Sequence, residues 1–145
     1  MKAVIQRVKR TALSVDGKLI SEIPFGLAVY FGVKVGDTKE QAETMAKKIS
    51  AMRIFEDSNG KMNLSVKDVG GEVLLISQFT LYADCSHGNR PGFTDAERPE
   101  RAEPLYKYEA EKLREYGLTV KEGVFGADMK IEQYNDGPVT IIYEI

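Results

Sequence analysis

Gly26-Leu27-Ala28-Val29-Tyr30-Phe31-Gly32-Val33 is apolar at almost every position. That is the pattern of a strand covered on both faces, so this stretch is read as a central strand. The pattern returns between Glu72 and Phe79, where Val73, Leu74, Leu75 and Ile76 follow one another. This second strand carries Ser77, Gln78, Phe79 and Thr80 at its far end, where polar work is usually placed.

Upstream, Val4, Ile5, Val8, Ala12, Leu13 and Val15 form an apolar run that breaks at Asp16-Gly17, a hairpin signal leading into Leu19 to Ile23. Downstream, Ala42, Met45, Ala46, Ile49 and Met52 fall at helical spacing, and Thr38 with Gln41 three residues on forms a capping box. Arg53 to Glu56 reads as a strand, Ser58-Asn59-Gly60 as a turn and Asn63 to Val66 as the return. Asp84 to Pro99 holds Gly88, Pro91, Gly92 and Pro99, and is read as a surface loop beside the site.

Leu105, Tyr108, Leu113 and Tyr116 outline a second helix that Gly117 is placed to cap. Its start is left open, because Pro104 suits a first turn and costs about 3 kcal/mol deeper inside. Leu118 to Val120, Met129 to Glu132 and Val139 to Tyr143 supply the last strands. The expected fold is α+β, one domain over residues 1–145: a large, mainly antiparallel, barrel-like sheet with about two helices packed on it.

Composition narrows the chemistry. Twenty basic residues against 22 acidic ones leave a formal charge of −2, so any contact with nucleic acid has to be local. No run of 18 or more apolar residues occurs, which gives a cytoplasmic expectation and no membrane partner. Cys85 is the only cysteine and His87 the only histidine. Internal disulfides and most zinc sites are thereby excluded, metal catalysis is not expected, and no Ser-His-Asp set assembles readily. A Cys85–His87 pair at i and i+2 in a loop rarely reaches productive geometry.

Ser77-Gln78-Phe79-Thr80-Leu81-Tyr82-Ala83-Asp84 and Asn135-Asp136-Gly137-Pro138-Val139-Thr140 resemble the two signature motifs of the D-aminoacyl-tRNA deacylases. Arg53 to Asp57, Gly60 to Ser65 and Phe125 to Met129 match that family as well, so the likeness spans the chain. The resemblance implies a homodimeric enzyme that hydrolyses the ester between a D-amino acid and the 3′ end of tRNA, without metal or cofactor. It implies a cis Gly137–Pro138 bond, projecting from one subunit into the active site of the other. By the same resemblance Ser77, Gln78, Phe79 and Thr80 line the ester-binding end, Arg7 steadies the Gly-Pro loop, and Ala102, Phe125 and Met129 are pocket positions. Gly137, where a related branch carries Thr, implies the strictly D-specific type. Gly92 and Pro104 depart mildly from the family pattern.

Ester hydrolysis passes through a tetrahedral oxyanion, which backbone N–H groups near Phe79 and Thr80 are expected to stabilise. Neither motif contains a matching base, so the leading expectation is that the 2′-hydroxyl of the terminal ribose assists the attacking water. A Thr80 acyl-enzyme is the alternative, and it needs an activating base. Gly137 and Pro138 are expected to reject L-substrates by shape, so that glycine, lacking a side chain, leaks through. Plainer readings exist for single residues: Arg7 as a surface or interface ion-pair residue, Phe125 and Met129 as core. For the chain, the competing function is a non-catalytic RNA-binding dimer that holds tRNA phosphates with Arg90, Arg98 and Arg101.

Overall fold

The computed structural model describes residues 1–145. Its elements are β1 (Lys2–Val15), β2 (Lys18–Ile23), β3 (Gly26–Gly32), α1 (Lys39–Ala51), β4 (Phe55–Glu56), β5 (Met62–Leu64) and β6 (Glu72–Ser77). A 3-10 turn (Phe79–Tyr82) follows, then α2 (Pro99–Glu115), β7 (Val120–Glu122) and β8 (Met129–Glu144).

β1 is the spine. It pairs antiparallel with β8 from Lys2 to Val15, and its other edge takes β3 along its first half and β2 along its second. The sheet continues from β3 to β6 to β7, and these pairs are parallel. Parallel neighbours follow from the connections, because α1 with the β4–β5 hairpin separates β3 from β6, and α2 separates β6 from β7. The sheet is therefore mixed, antiparallel around β1 and parallel beyond β3. Ser21 Oγ on β2 donates to the Glu122 carbonyl at 2.7 Å, which draws the two ends of the sheet together into a nearly closed barrel.

The two apolar strands sit between two hydrophobic clusters. Leu27, Val29, Phe31, Val73 and Leu75 join the larger cluster with Met45, Ile49, Leu105, Tyr106 and Leu113 of the helices. Ala28, Leu74 and Ile76 point the other way, to Val8, Leu13 and Ile23. Alternate residues thus have separate apolar destinations, and each fully buried Leu or Val contributes about 1.5–3 kcal/mol. β3 and β6 approach closely at their starts: a Cβ on Gly26 would lie 1.9 Å from the Glu72 carbonyl oxygen, and Gly26 has φ +140°. No other residue fits there.

α1 begins at the expected cap, with the Thr38 N–H donating to Gln41 Oε1 at 2.9 Å. α2 begins earlier than Pro104 suggests, with Pro99 in its first turn and Pro104 inside. Pro104 faces solvent while Ala102, Leu105 and Tyr106 are buried, so packing outweighs the missing N–H. At the other end Gly117 and Leu118 donate to Arg114 and Leu113, the double closure expected of a glycine-capped helix. The strand expected over 53–56 shortens to Phe55–Glu56, and its return, expected over 63–66, is shifted to Met62–Leu64.

The largest departure concerns β8. Met129 to Glu132 and Val139 to Tyr143, expected as separate strands, are one continuous strand, and Asp136 to Val139 is a bulge in it. Val8 pairs with Asn135 and Gln6 with Thr140, so four residues of β8 stand opposite Arg7 alone. No helix is long and apolar enough to cross a membrane.

Candidate active site

β6 ends at Ser77, and the chain turns at once. The Gln78 N–H donates to the Phe31 carbonyl at 2.8 Å, and Leu81 N–H and Ala83 N–H close the 3-10 turn onto Gln78 and Thr80. The N–H groups of Phe79 and Thr80 open that turn, where a helical backbone has no acceptor of its own to offer them. Phe79 is 57% exposed and meets Phe93 edge-to-face, with ring centroids 5.0 Å apart. The Gln78 side-chain amide donates to Thr80 Oγ1.

Beside this turn lies a cavity of about 610 Å³. Ser77, Gln78 and Phe79 form one wall, Ala102 of α2 another, and Phe125 and Met129 a third. Six of the residues singled out from sequence therefore meet in one place, although they span more than fifty positions. Thr80 sits next to the cavity, exposed, and is not among its lining residues.

The cavity is mostly apolar. Tyr106 closes its floor, donating its hydroxyl to the Leu75 carbonyl at 2.8 Å, and burial raises its pKa. Glu97 is the buried charge on the wall. It accepts from Arg98 N–H at 2.9 Å and Gly36 N–H at 3.2 Å, and these bonds hold its carboxyl below the usual carboxylate range. Arg101 Nε lies 3.6 Å away. Asp128, on the rim, is exposed and pairs with Lys130 at 2.9 Å. Neither carboxylate is poised as a general base, and no group of three His, Cys, Asp or Glu side chains comes together.

Arg7, Gly137 and Pro138 form a second group, away from these walls. Arg7 is buried; it donates from Nη1 to the Ile54 carbonyl at 2.8 Å and from Nε to the Asp136 carbonyl at 3.3 Å. Its Nε also lies 3.2 Å from Asp136 Oδ2, and Lys9 reaches the other carboxylate oxygen at 3.4 Å. Gly137 and Pro138 are exposed at the crest of the bulge, and the bond between them is cis. At Gly137, φ is +123° and a Cβ would come within 2.9 Å of Val139 and 3.4 Å of Arg7. A smaller opening of about 310 Å³ lies beside this loop, lined by Arg7, Lys9 and Asp136 among others.

Sequence reasoning missed Phe93, Glu97 and Lys9. Phe93 and Glu97 sit in the loop of 84–99, where no periodicity marks them. Lys9 follows Val8 as an ordinary outward residue and meets Asp136 only because the bulge brings that residue back.

Comparison with known proteins places these features in context. The family model described as D-Tyr-tRNA(Tyr) deacylase matches residues 4–144. A D-aminoacyl-tRNA deacylase of Bacillus cereus (strain G9842) is 52% identical over 144 residues, covering 99% of each chain. One from Halalkalibacterium halodurans is 51% identical over the same length, again covering 99% of both. Among solved structures, a protein titled c-Myc DNA Unwinding Element Binding Protein superposes with TM-score 0.92 at 44% identity, covering 100% of this chain and 99% of its own. A probable eukaryotic D-amino acid tRNA deacylase shares the fold at TM-score 0.84 and 17% identity, covering 99% and 98%.

Proposed function

Because the chain belongs to the D-Tyr-tRNA(Tyr) deacylase family, we propose that it hydrolyses the ester joining a D-amino acid to the 3′ end of tRNA. The observation that carries this reading is the meeting of Ser77, Gln78, Phe79, Ala102, Phe125 and Met129 in one cavity at the end of β6. Free D-amino acid and reusable tRNA are the products.

The terminal nucleoside occupies the apolar cavity, and the ester lies over the 3-10 turn. The N–H groups of Phe79 and Thr80 receive the oxyanion as the carbonyl becomes tetrahedral; one such donor is typically worth about 2.7–4 kcal/mol. With Glu97 fully engaged and Asp128 tied to Lys130, water is oriented by the substrate's own 2′-hydroxyl. Thr80 fits less well as a nucleophile, since its hydroxyl contacts the Gln78 amide, which is no base.

The protein works as a homodimer, with Gly137 and Pro138 of one copy completing the cavity of the other. Two features support this: the loop is outside the cavity of its own chain, and Tyr134 and Ile142 on β8 are 68% and 69% exposed. Backbone this close to the substrate Cα leaves no room for an L side chain and ample room for none, so glycyl-tRNA is cleaved too. A purified preparation given D-tyrosyl-tRNA and L-tyrosyl-tRNA tests the reading: the D-ester is cleaved and the L-ester persists. The non-catalytic RNA-binding dimer predicts that both esters persist.

A further inference from the structure

The cations around the cavity mouth fall into two kinds. Arg101 and Lys130 are matched, to Glu97 and Asp128 respectively. Lys34, Arg90 and Arg98 are exposed, and their side chains enter no ion pair or hydrogen bond within the chain. Arg98 is on the cavity wall itself, and Lys34 and Arg90 belong to segments bridged to or continuous with it. Arg98 lines the cavity at the cap of α2. Lys34 lies on a β-bridge to Ala96, another lining residue, and the Val35 N–H to Asp95 and Glu97 N–H to Val33 bonds, at 2.9 and 3.0 Å, fix that bridge. Arg90 is in the turn closed by paired Asp84–Gly92 bonds of 2.8 Å, three residues before the lining residue Phe93.

The wall is thus held by backbone pairing, and its free cations need no carboxylate released before they bind an anion. Glu97 would oppose an anion here, but two N–H groups and Arg101 already occupy its oxygens. We infer that Lys34, Arg90 and Arg98 are the track for the phosphodiester backbone of the substrate RNA as it leaves the cavity, with Arg98 taking the phosphate nearest the esterified nucleotide. The inference rests on the deacylase reading for the identity of the RNA. An arginine with both edges of its fork unused suits a phosphate oxygen pair, and a lysine serves as a point charge farther along. With a chain charge of −2, recognition depends on such a local strip.

Two substrates separate the possibilities: D-tyrosyl-tRNA, and D-tyrosyl-adenosine, which carries the same ester and no phosphate. Arg98→Ala raises KM for the tRNA about tenfold, the value of one charge-assisted contact. The loss is at least fivefold smaller on the adenosine ester, and Arg98→Lys recovers part of it. Binding of uncharged tRNA, titrated with salt, loses about 0.7 from its log–log slope for each of Lys34→Ala, Arg90→Ala and Arg98→Ala. Lys47→Ala, on the solvent side of α1, leaves that slope as it was. Equal losses on both esters, or slopes that match Lys47→Ala, overturn the track. Should the wild type cleave neither ester yet show the Arg98-dependent slope, the track stands and the deacylase reading falls.

Discussion

Arg7 Nε lies 3.2 Å from Asp136 Oδ2, and the same guanidinium donates to Ile54 across the fold. A residue of the first strand thereby ties the crest of the last strand to the segment that follows α1. Buried on one side and loop-facing on the other, this guanidinium is the main polar anchor of the bulge.

Removing that anchor leaves the Ile54 and Asp136 acceptors unpaired, at about 1.5–3 kcal/mol for bonds made by a charged donor. Arg7→Ala is therefore expected to lower unfolding stability by that amount in denaturant titrations. It is also expected to slow D-tyrosyl-tRNA hydrolysis at least tenfold at a temperature where the variant is folded. Full activity in the folded variant would show that the loop needs no such support.

At Gly137 a side chain meets Val139 and Arg7 and is forced to positive φ, a strain of about 1–3 kcal/mol. Gly137→Ala should retain its circular dichroism spectrum and lose most deacylation of D-esters. If it cleaves D-esters at wild-type rate, the close approach of backbone to substrate is not how the site works.

The leaving nucleoside provides another handle. Replacing the terminal ribose by its 2′-deoxy form is expected to cut hydrolysis about a hundredfold, a general acid–base contribution of ordinary size. Thr80→Ala is expected to lose less than this. A larger loss from Thr80→Ala, together with a trapped acyl adduct on Thr80, would move the nucleophile onto the protein.

Glu109 on α2 is 0% exposed, and neither carboxylate oxygen has a partner. Burial pushes its pKa up to about 9. Below pH ~4.5 the group is protonated in both folded and unfolded chains and has no effect. Between there and about 9 only the unfolded chain releases the proton, so stability falls as pH rises, by roughly 3 kcal/mol at pH 7. Glu109→Gln should match the wild type near pH 4.5 and exceed it increasingly toward pH 9 in urea titrations. Parallel pH curves for the two proteins would mean that water or a partner reaches the carboxylate.

Much of this architecture was legible in the sequence because one constraint acted at a time. Val29 and Leu75 read as doubly covered strands since every neighbour is apolar too, and α1 read correctly since its period and its Thr38–Gln41 cap agree. The first turn of α2 was obscured by Pro104, whose local penalty is overridden by burial of Ala102 and Leu105. Asn135-Asp136-Gly137-Pro138 has the composition of a turn. Only its pairing with Val8 and Gln6 on either side makes it a bulge, and pairing over more than 120 positions leaves no local trace. The candidate residues that line the cavity were singled out through motif likeness; Glu97 and Phe93 belong to no motif and emerged only when the loop was seen against the cavity.

The register of β8 resumes on both sides of the Asp136–Val139 bulge, with Asn135 opposite Val8 and Thr140 opposite Gln6. The interruption is therefore confined between these rungs: Asp136 and Gly137 are fixed by Arg7 and by close packing, while a change at Pro138 or Val139 need not slide the ladder on the Thr140 side. Divergence among relatives has a place to act there that is bounded on both sides by paired strand and coupled to the barrel through one guanidinium.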